Sequence, residues 1–325
     1  MIMTRYNTLF RTAVTVAAFA AVAPTAWALD KIDVAKAVVT SFAFATLEVG
    51  QAAGTWKDEG LEITIHAFRG DAQVQQALTA GTIQFGLGSG PGMGFMAKGV
   101  PAKAVAAFAG PPGNMALLVG TDGRIKTVDD LAGKKIGVTT AGSLTYWLVE
   151  EMSRQKGWTG AKAMHPIPMG AMRTRLAAMK TGDIDGTVND SAAAYDVEEN
   201  GAGKVILSFG DLVKDFYTHV VFASNKTIET NPDLVKRFLR GLFKTVARMK
   251  QDKALAVRVG ADVMKVRPSV VEKTYKATMD MLSDDGHWDQ ASIEVIRRSL
   301  VELKILDKEP DPKLMYTDKF VPVRF

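Results

Sequence analysis

The stretch Val74-Gln-Gln-Ala-Leu-Thr-Ala-Gly-Thr-Ile-Gln-Phe85 returns in altered form as Arg175-Leu-Ala-Ala-Met-Lys-Thr-Gly-Asp-Ile-Asp-Gly186, with Gly81 and Ile83 answered 101 residues later by Gly182 and Ile184. Each copy reads as an apolar helix ended by a glycine free to turn left-handed, with a short strand beginning two residues on. One motif built twice predicts two similar α/β units, and hence two lobes with a cleft between them. Because the glycines close the helices, the ends expected to face the cleft are the helix starts, near Gln73 and Arg173.

Around the first copy, Ile32 to Val39 reads as a buried strand, Thr40 to Phe44 as a turn, and the following segment as a helix ending near Trp56. Leu61 to His66 alternates as a strand, Gly70-Asp-Ala-Gln73 caps a helix running to Ala80, and Ile83 to Leu87 is the next strand. The second copy repeats this order from Lys135-Ile-Gly-Val138, through a helix to about Gly157, a strand at Ala163 to Ile167, the helix before Gly182 and a strand at Ile184 to Val188. Strand–helix alternation with short loops predicts parallel sheets covered by helices. Ala104 to Phe108, Met115 to Gly120 and His219 to Ser224 are further strands, the last two expected as crossovers. That gives a first lobe of residues 29–120 plus 219–325 and a second of 121–218. Four helices are expected from Pro232 onward: to Lys250, then Ala254 to Val266, Ser269 to Met281 and Gln290 to Leu303.

At 325 residues, 47% hydrophobic and 23% charged, the chain has the composition of a globular protein with room for two cores. Residues 1–28 differ: Arg5 and Arg11 precede an apolar run from Ala13 to Ala23, and Ala26-Trp-Ala28 has the form of a signal-peptidase site. The run is shorter than the ~20 residues a bilayer span needs, so cleavage after Ala28 and export to the periplasm are expected. The absence of cysteine excludes a lipoprotein anchor, disulfides, thiolate nucleophiles and Cys-bound metal. The formal charge of +5 includes Arg5 and Arg11, leaving +3 on the mature chain. With no basic run interleaved with aromatics, nucleic acid is not an expected partner.

The order of these pieces resembles the type II periplasmic solute-binding proteins of ABC importers, in the nitrate/sulfonate/taurine group that also includes pyrimidine-precursor binders. The matching residues are Gly60-Leu61, Ala77-Leu-Thr-Ala-Gly81 with Ile83, Lys98-Gly-Val-Pro101, Asp130-Leu-Ala-Gly-Lys-Lys-Ile-Gly-Val138, Gly182-Asp-Ile-Asp185 and Asn231-Pro-Asp233, spanning about residues 31 to 305. The resemblance implies two Rossmann-like lobes joined by a two-strand hinge, with the helical C-terminal segment packed on the first lobe. It further implies a monomer that closes over one small molecule and delivers it to a membrane permease and its ATPase, touching the membrane only through that permease.

Ligands of open parallel sheets bind beyond the carboxyl ends of the strands, where helix N-termini present free N–H groups. The candidate ligand-binding residues are therefore Ser41, Phe42, Phe44, Asp71, Gln73, Ser89 and Gly90 in the first lobe, and Gly142, Ser143, Thr145, Arg173, Asn189 and Asp190 in the second. Ser143 suits a sulfonate or carboxylate oxygen, or is an ordinary helix cap. Ser89-Gly-Pro-Gly92 forms a comparable loop, or a turn that simply needs glycine. Asn189 and Asp190 orient a ligand, or Asp190 meets an amine, or they cap the helix after them, and Arg173 grips an anion or faces water. Phe42, Phe44, Trp147 and Tyr217 stack on an organic body or belong to the core. No histidine has metal-ligand spacing; His219, beside Tyr217 at a crossover, is the one worth testing as a ligand-binding residue.

A transport receptor for a small organic anion is the leading expectation, with no metal, no cofactor and no turnover. Nitrate or a pyrimidine-type precursor is the alternative ligand, and a partner of a sensor the alternative role. Enzymes on related folds, a pyrimidine synthase and porphobilinogen deaminase, depend on cysteines this chain lacks, and no Ser-His-Asp arrangement follows from spacing.

Overall fold

Gly81 and Gly182 adopt φ of 71° and 82°, the left-handed conformation the repeat requires, and end the helices Asp71–Ala80 and Met172–Thr181. The structure, a computed structural model, describes residues 28–302 and 305–325. The expected leader lies outside the described residues apart from Ala28. Among the described residues no helix is long and apolar enough to cross a membrane.

Ten strands follow in order: β1 Asp30–Lys36, β2 Leu61–Ala67, β3 Phe85–Ser89, β4 Ala102–Ala109, β5 Met115–Val119, β6 Lys135–Val138, β7 His165–Pro168, β8 Gly186–Asp190, β9 Lys204–Ser208 and β10 His219–Ser224. They form two five-stranded sheets, β2-β1-β3-β10-β4 and β7-β6-β8-β5-β9. Strands β1, β2 and β3 run parallel, as do β6, β7 and β8. In each sheet the one antiparallel strand is a newcomer from the other half: β10 between β3 and β4, and β5 between β8 and β9.

Three expectations need correction. Met115–Val119, assigned to a first lobe ending at residue 120, pairs in the second sheet, because the turn through Pro111 and Pro112 carries the chain across before the strand begins. Both post-glycine strands start two residues later than expected; Ile83 and Ile184 are buried plugs in the turns, with Ile184 pressed on Gly137. Strand β9, part-buried along most of its length, has no counterpart in the sequence reading.

The helical C-terminal third covers the first sheet. Its longest helix, Pro232–Gln251, starts with Pro232 at the first turn and Asn231 capping the Leu234 N–H at 3.1 Å. Phe238 from this helix stacks between Trp56 and Phe85. Leu282 bridges to Ala109, and the Thr317 N–H donates to the Ala104 carbonyl at 2.9 Å, so edge strand β4 is covered by the chain's own tail. The helix Pro268–Met281 also reaches the second lobe, with Lys273 4.0 Å above the Tyr195 ring and the preceding Arg267 2.9 Å from Glu199.

One packing constraint sits at the end of β3. A Cβ on Gly90 would lie 2.1 Å from the Tyr217 carbonyl oxygen, a backbone atom with no rotamer to move. Gly90→Ala is expected to cost ~2–3 kcal/mol in urea denaturation, since overpacking must displace main chain. Gly81→Ala, left-handed but with open space around it, should cost only ~1 kcal/mol. An equal loss from both would show that the close approach is unimportant.

Candidate functional site

The carboxyl ends of the parallel strands of both sheets meet at a cavity of about 50 Å³, room for about four waters. From the first sheet come Ala37 and Val38 beyond β1, Ser89 at the end of β3 and His219 at the start of β10, with Ser41 and Phe44 from the following loop. From the second come Thr139 beyond β6, Val188, Asn189 and Asp190 of β8, Met115 opening β5, and Leu144 and Thr145 at the start of the helix Leu144–Gln155. Gly70, immediately before the helix Asp71–Ala80, packs so tightly on Thr140 that a Cβ there would meet its side chain at 2.6 Å. Gly170, before the helix Met172–Thr181, lies beside Arg69, where a Cβ would meet the Arg69 side chain at an ordinary 3.7 Å, so the two helix starts face each other across the cleft.

Of the expected residues, Ser41, Phe44, Asp71, Ser89, Thr145, Asn189, Asp190 and His219 line the cavity. The other six do not. Phe42 is fully buried against Gly260 in the core, and only its backbone N–H turns toward the site, donating to Asp190 Oδ2 at 3.2 Å. Gln73 is exposed and accepts the Arg69 N–H at 3.0 Å, closing its own helix start. Gly90 is held against the Tyr217 backbone, and Gly142 faces Phe95 in a separate surface depression. Ser143 caps its helix through the Tyr146 N–H and accepts a 2.8 Å hydrogen bond from Thr139 Oγ1. Arg173 points to solvent. The aromatics Trp147, stacked on Phe216 at 4.0 Å, and Tyr217 are core residues.

The residue that sequence reading passed over is Arg175, two positions beyond Arg173 and only 2% exposed. The repeat carried the signal: Arg175 stands where the first copy has Val74, itself fully buried. In the first lobe Val74 packs on Gly86; in the second, Arg175 Nη1 donates to Thr187 Oγ1 at 2.8 Å and to the Val188 carbonyl at 2.6 Å. An apolar contact has become a guanidinium anchored under the cavity floor.

The charges around it are treated differently. Buried Lys36 is ion-paired with Glu48, and buried Glu59 with Arg240 and Lys244. Asp71 accepts the Ser89 N–H at 2.7 Å and the Ser89 hydroxyl at 3.1 Å. Asp190 accepts from the Phe42 N–H, from Asn114 Nδ2 at 3.0 Å and from the Ala192 N–H at 3.1 Å. Arg175 has no carboxylate within ion-pair distance among the described residues, and its Nε has no hydrogen-bond partner. Burial alone lowers its pKa to about 10, leaving it charged at neutral pH. Burial also pushes Asp190 up to about 7, against the pull of its hydrogen bonds, and His219 down to about 3.

Comparison with known proteins agrees with this fold. A family model described as NMT1/THI5 like matches residues 41–254. The alkanesulfonate-binding protein SsuA from Xanthomonas axonopodis pv. citri, bound to MOPS, superposes with a TM-score of 0.73 at 18% identity, over 88% of this chain and 96% of that one. The periplasmic nitrate-binding protein NrtA from Synechocystis PCC 6803 gives 0.64 at 14% identity, over 76% and 70%. A mutant of DszB in complex with biphenyl-2-sulfinic acid gives 0.62 at 16%, over 89% and 97%. No curated protein matches the sequence. At these identities the structural likeness speaks for the fold, and the family model covers more than half of the chain. The protein has the periplasmic binding protein fold and belongs to the NMT1/THI5-like family.

Proposed function

We propose that this protein is the periplasmic receptor of an ABC importer, capturing a small organic anion, sulfonate- or carboxylate-like, between the lobe built on the first sheet and the lobe built on the second, which includes Met115–Val119, for delivery to the permease and its ATPase. The observation that carries the reading is Arg175: a guanidinium buried beside a cavity, with no carboxylate in ion-pair distance among the described residues and an Nε without a hydrogen-bond partner. Burying an uncompensated ion costs several kcal/mol, and an anion in the cavity offsets that cost when the lobes close. The hydroxyl of Ser41, which has no partner of its own, adds an oxygen-directed donor, while Val38, Phe44, Met115, Leu144 and Val188 present apolar surface to an organic body. A bare inorganic anion such as nitrate is the second reading, favoured by the small free volume.

The receptor role is unaccompanied by chemistry. His219 has no hydrogen-bond partner and is held near 3 by burial, which makes it a poor base at neutral pH and leaves no nucleophile hydrogen-bonded to it.

Residues 29–325 should show a rise in Tm with one or more members of a panel of small sulfonates, carboxylates and nitrate, because a ligand bound only by the native state stabilises it. Arg175→Met should weaken that ligand at least ~100-fold in calorimetry, with ligand-free stability within ~2 kcal/mol of the parent. Silence across the panel, or undiminished binding by Arg175→Met, would overturn the reading.

The cavity also predicts a pH signature. His219, near 3 when folded against 6.5 as the ordinary value, contributes stability above pH 6.5 that is lost as pH falls toward 3. Asp190, about 7 folded against 3.8, contributes stability below pH 4 that is lost as pH rises through 7. The two slopes oppose each other between pH 4 and 6.5. Asp190→Asn should therefore gain stability relative to the parent as pH rises across that window, and His219→Gln should lose it, each by up to ~1.4 kcal/mol per pH unit. Parallel stability curves for the parent and both variants would contradict this.

A further inference from the structure

Besides Ser41 Oγ, two more polar groups in the cavity wall lack partners, and these two sit on different lobes. His219 opens β10 in the first sheet, is 4% exposed, and lies against Phe44 with ring centroids 4.4 Å apart; neither ring nitrogen makes a hydrogen bond. Asn189 belongs to β8 in the second sheet and is 3% exposed. Its Nδ2 faces the Thr187 carbonyl at 3.4 Å, a contact only the NH₂ side can make, so the amide orientation is fixed and Oδ1 is left as an acceptor with nothing to accept. A neutral imidazole offers one N–H donor and one acceptor nitrogen. Leaving three such atoms unanswered beside a cavity is costly, and a ligand group that pairs with them recovers that cost.

Resting on the anion reading above, we propose that the ligand carries, besides the anionic group held by Arg175, a neutral group that both donates and accepts hydrogen bonds, set between His219 of one lobe and Asn189 of the other. A hydroxyl is the smallest such group: its O–H donates to Asn189 Oδ1 while its oxygen accepts the His219 N–H. An ammonium would donate to Asn189 Oδ1 and to the unprotonated imidazole nitrogen, but has no lone pair to accept the imidazole N–H, which a hydroxyl oxygen does accept. A plain alkyl anion would satisfy Arg175 and strand the other two. The ligand class is thus a hydroxy-substituted short sulfonate or carboxylate. Because its two polar ends are read from opposite lobes, closure is favoured only when both are present.

The test uses matched sets on the unaltered mature protein: 2-hydroxyethanesulfonate against ethanesulfonate and 2-aminoethanesulfonate, and lactate against propionate, by titration calorimetry. The hydroxylated member of at least one set should bind 10- to 100-fold more tightly than its alkyl partner, and more tightly than the amine. His219→Phe should shrink that ratio below threefold. If alkyl anions bind as well as hydroxylated ones, or the amine binds best, this inference falls and the anion-receptor reading stands. If no anion binds, both fall. An equal loss of both partners in His219→Phe would make His219 a packing residue and overturn its assigned role.

Discussion

Neither sheet is completed by its own half of the chain, and the site follows from that constraint. Strand β10 must enter the first sheet between β3 and β4, and β5 the second between β8 and β9. Both are antiparallel to their neighbours, so their first residues lie at the carboxyl ends of the parallel strands beside them. His219 accordingly pairs with Ser89, and Met115 with Asp190, and all four residues line the cavity. The crossovers that tie the two sheets together are therefore also walls of the place where parallel sheets bind ligands.

The cavity is held closed by groups that would otherwise be liabilities. Asp190 caps the helix Ser191–Glu199 through the Ala192 N–H and accepts from Asn114 beside the crossover and from the Phe42 backbone in the first sheet's half. One carboxylate serves a helix end, a crossover and the opposite lobe. At the far side, Arg267 reaches Asp196 at 3.2 Å and Glu199 at 2.9 Å on that same helix. These outer pairs are partly solvated and modest in energy; the buried contacts around Asp190 set the approach of the lobes.

The alternation of elements was legible in the sequence because it rests on local chemistry: glycine C-caps at 81 and 182, a proline at 232, and β-rich runs at 61, 135 and 219. The sheet to which Met115–Val119 belongs was not, since partner choice is decided by a strand far away in sequence. Loop positions of the site were legible from topology, and eight of the expected residues reached the cavity. Individual side-chain directions within a loop or first turn were not: Arg173 and Arg175 differ by about half a turn of helix, so one meets water and the other the interior. The internal repeat resolves the choice, because a position that is apolar in one copy and buried there is buried in the other. Ser143 and Gly90 mislead for another reason. Their residue types serve caps and close backbone approach as readily as ligands, and only the neighbours decide.

The strand exchange also sets an order of events. Phe85 pairs with Ala223, nearly half the chain away, so the first sheet contains a seam between β3 and β4 that nothing in the first 218 residues fills. Contacts of such long sequence separation form late, after a large loop-closure entropy has been met. A growing or threading chain can assemble most of the second sheet, whose strands end at Ser208, before the first is whole. The cavity wall that includes His219 is complete only once that seam is sealed, so the pocket depends on the last strand to join the first sheet.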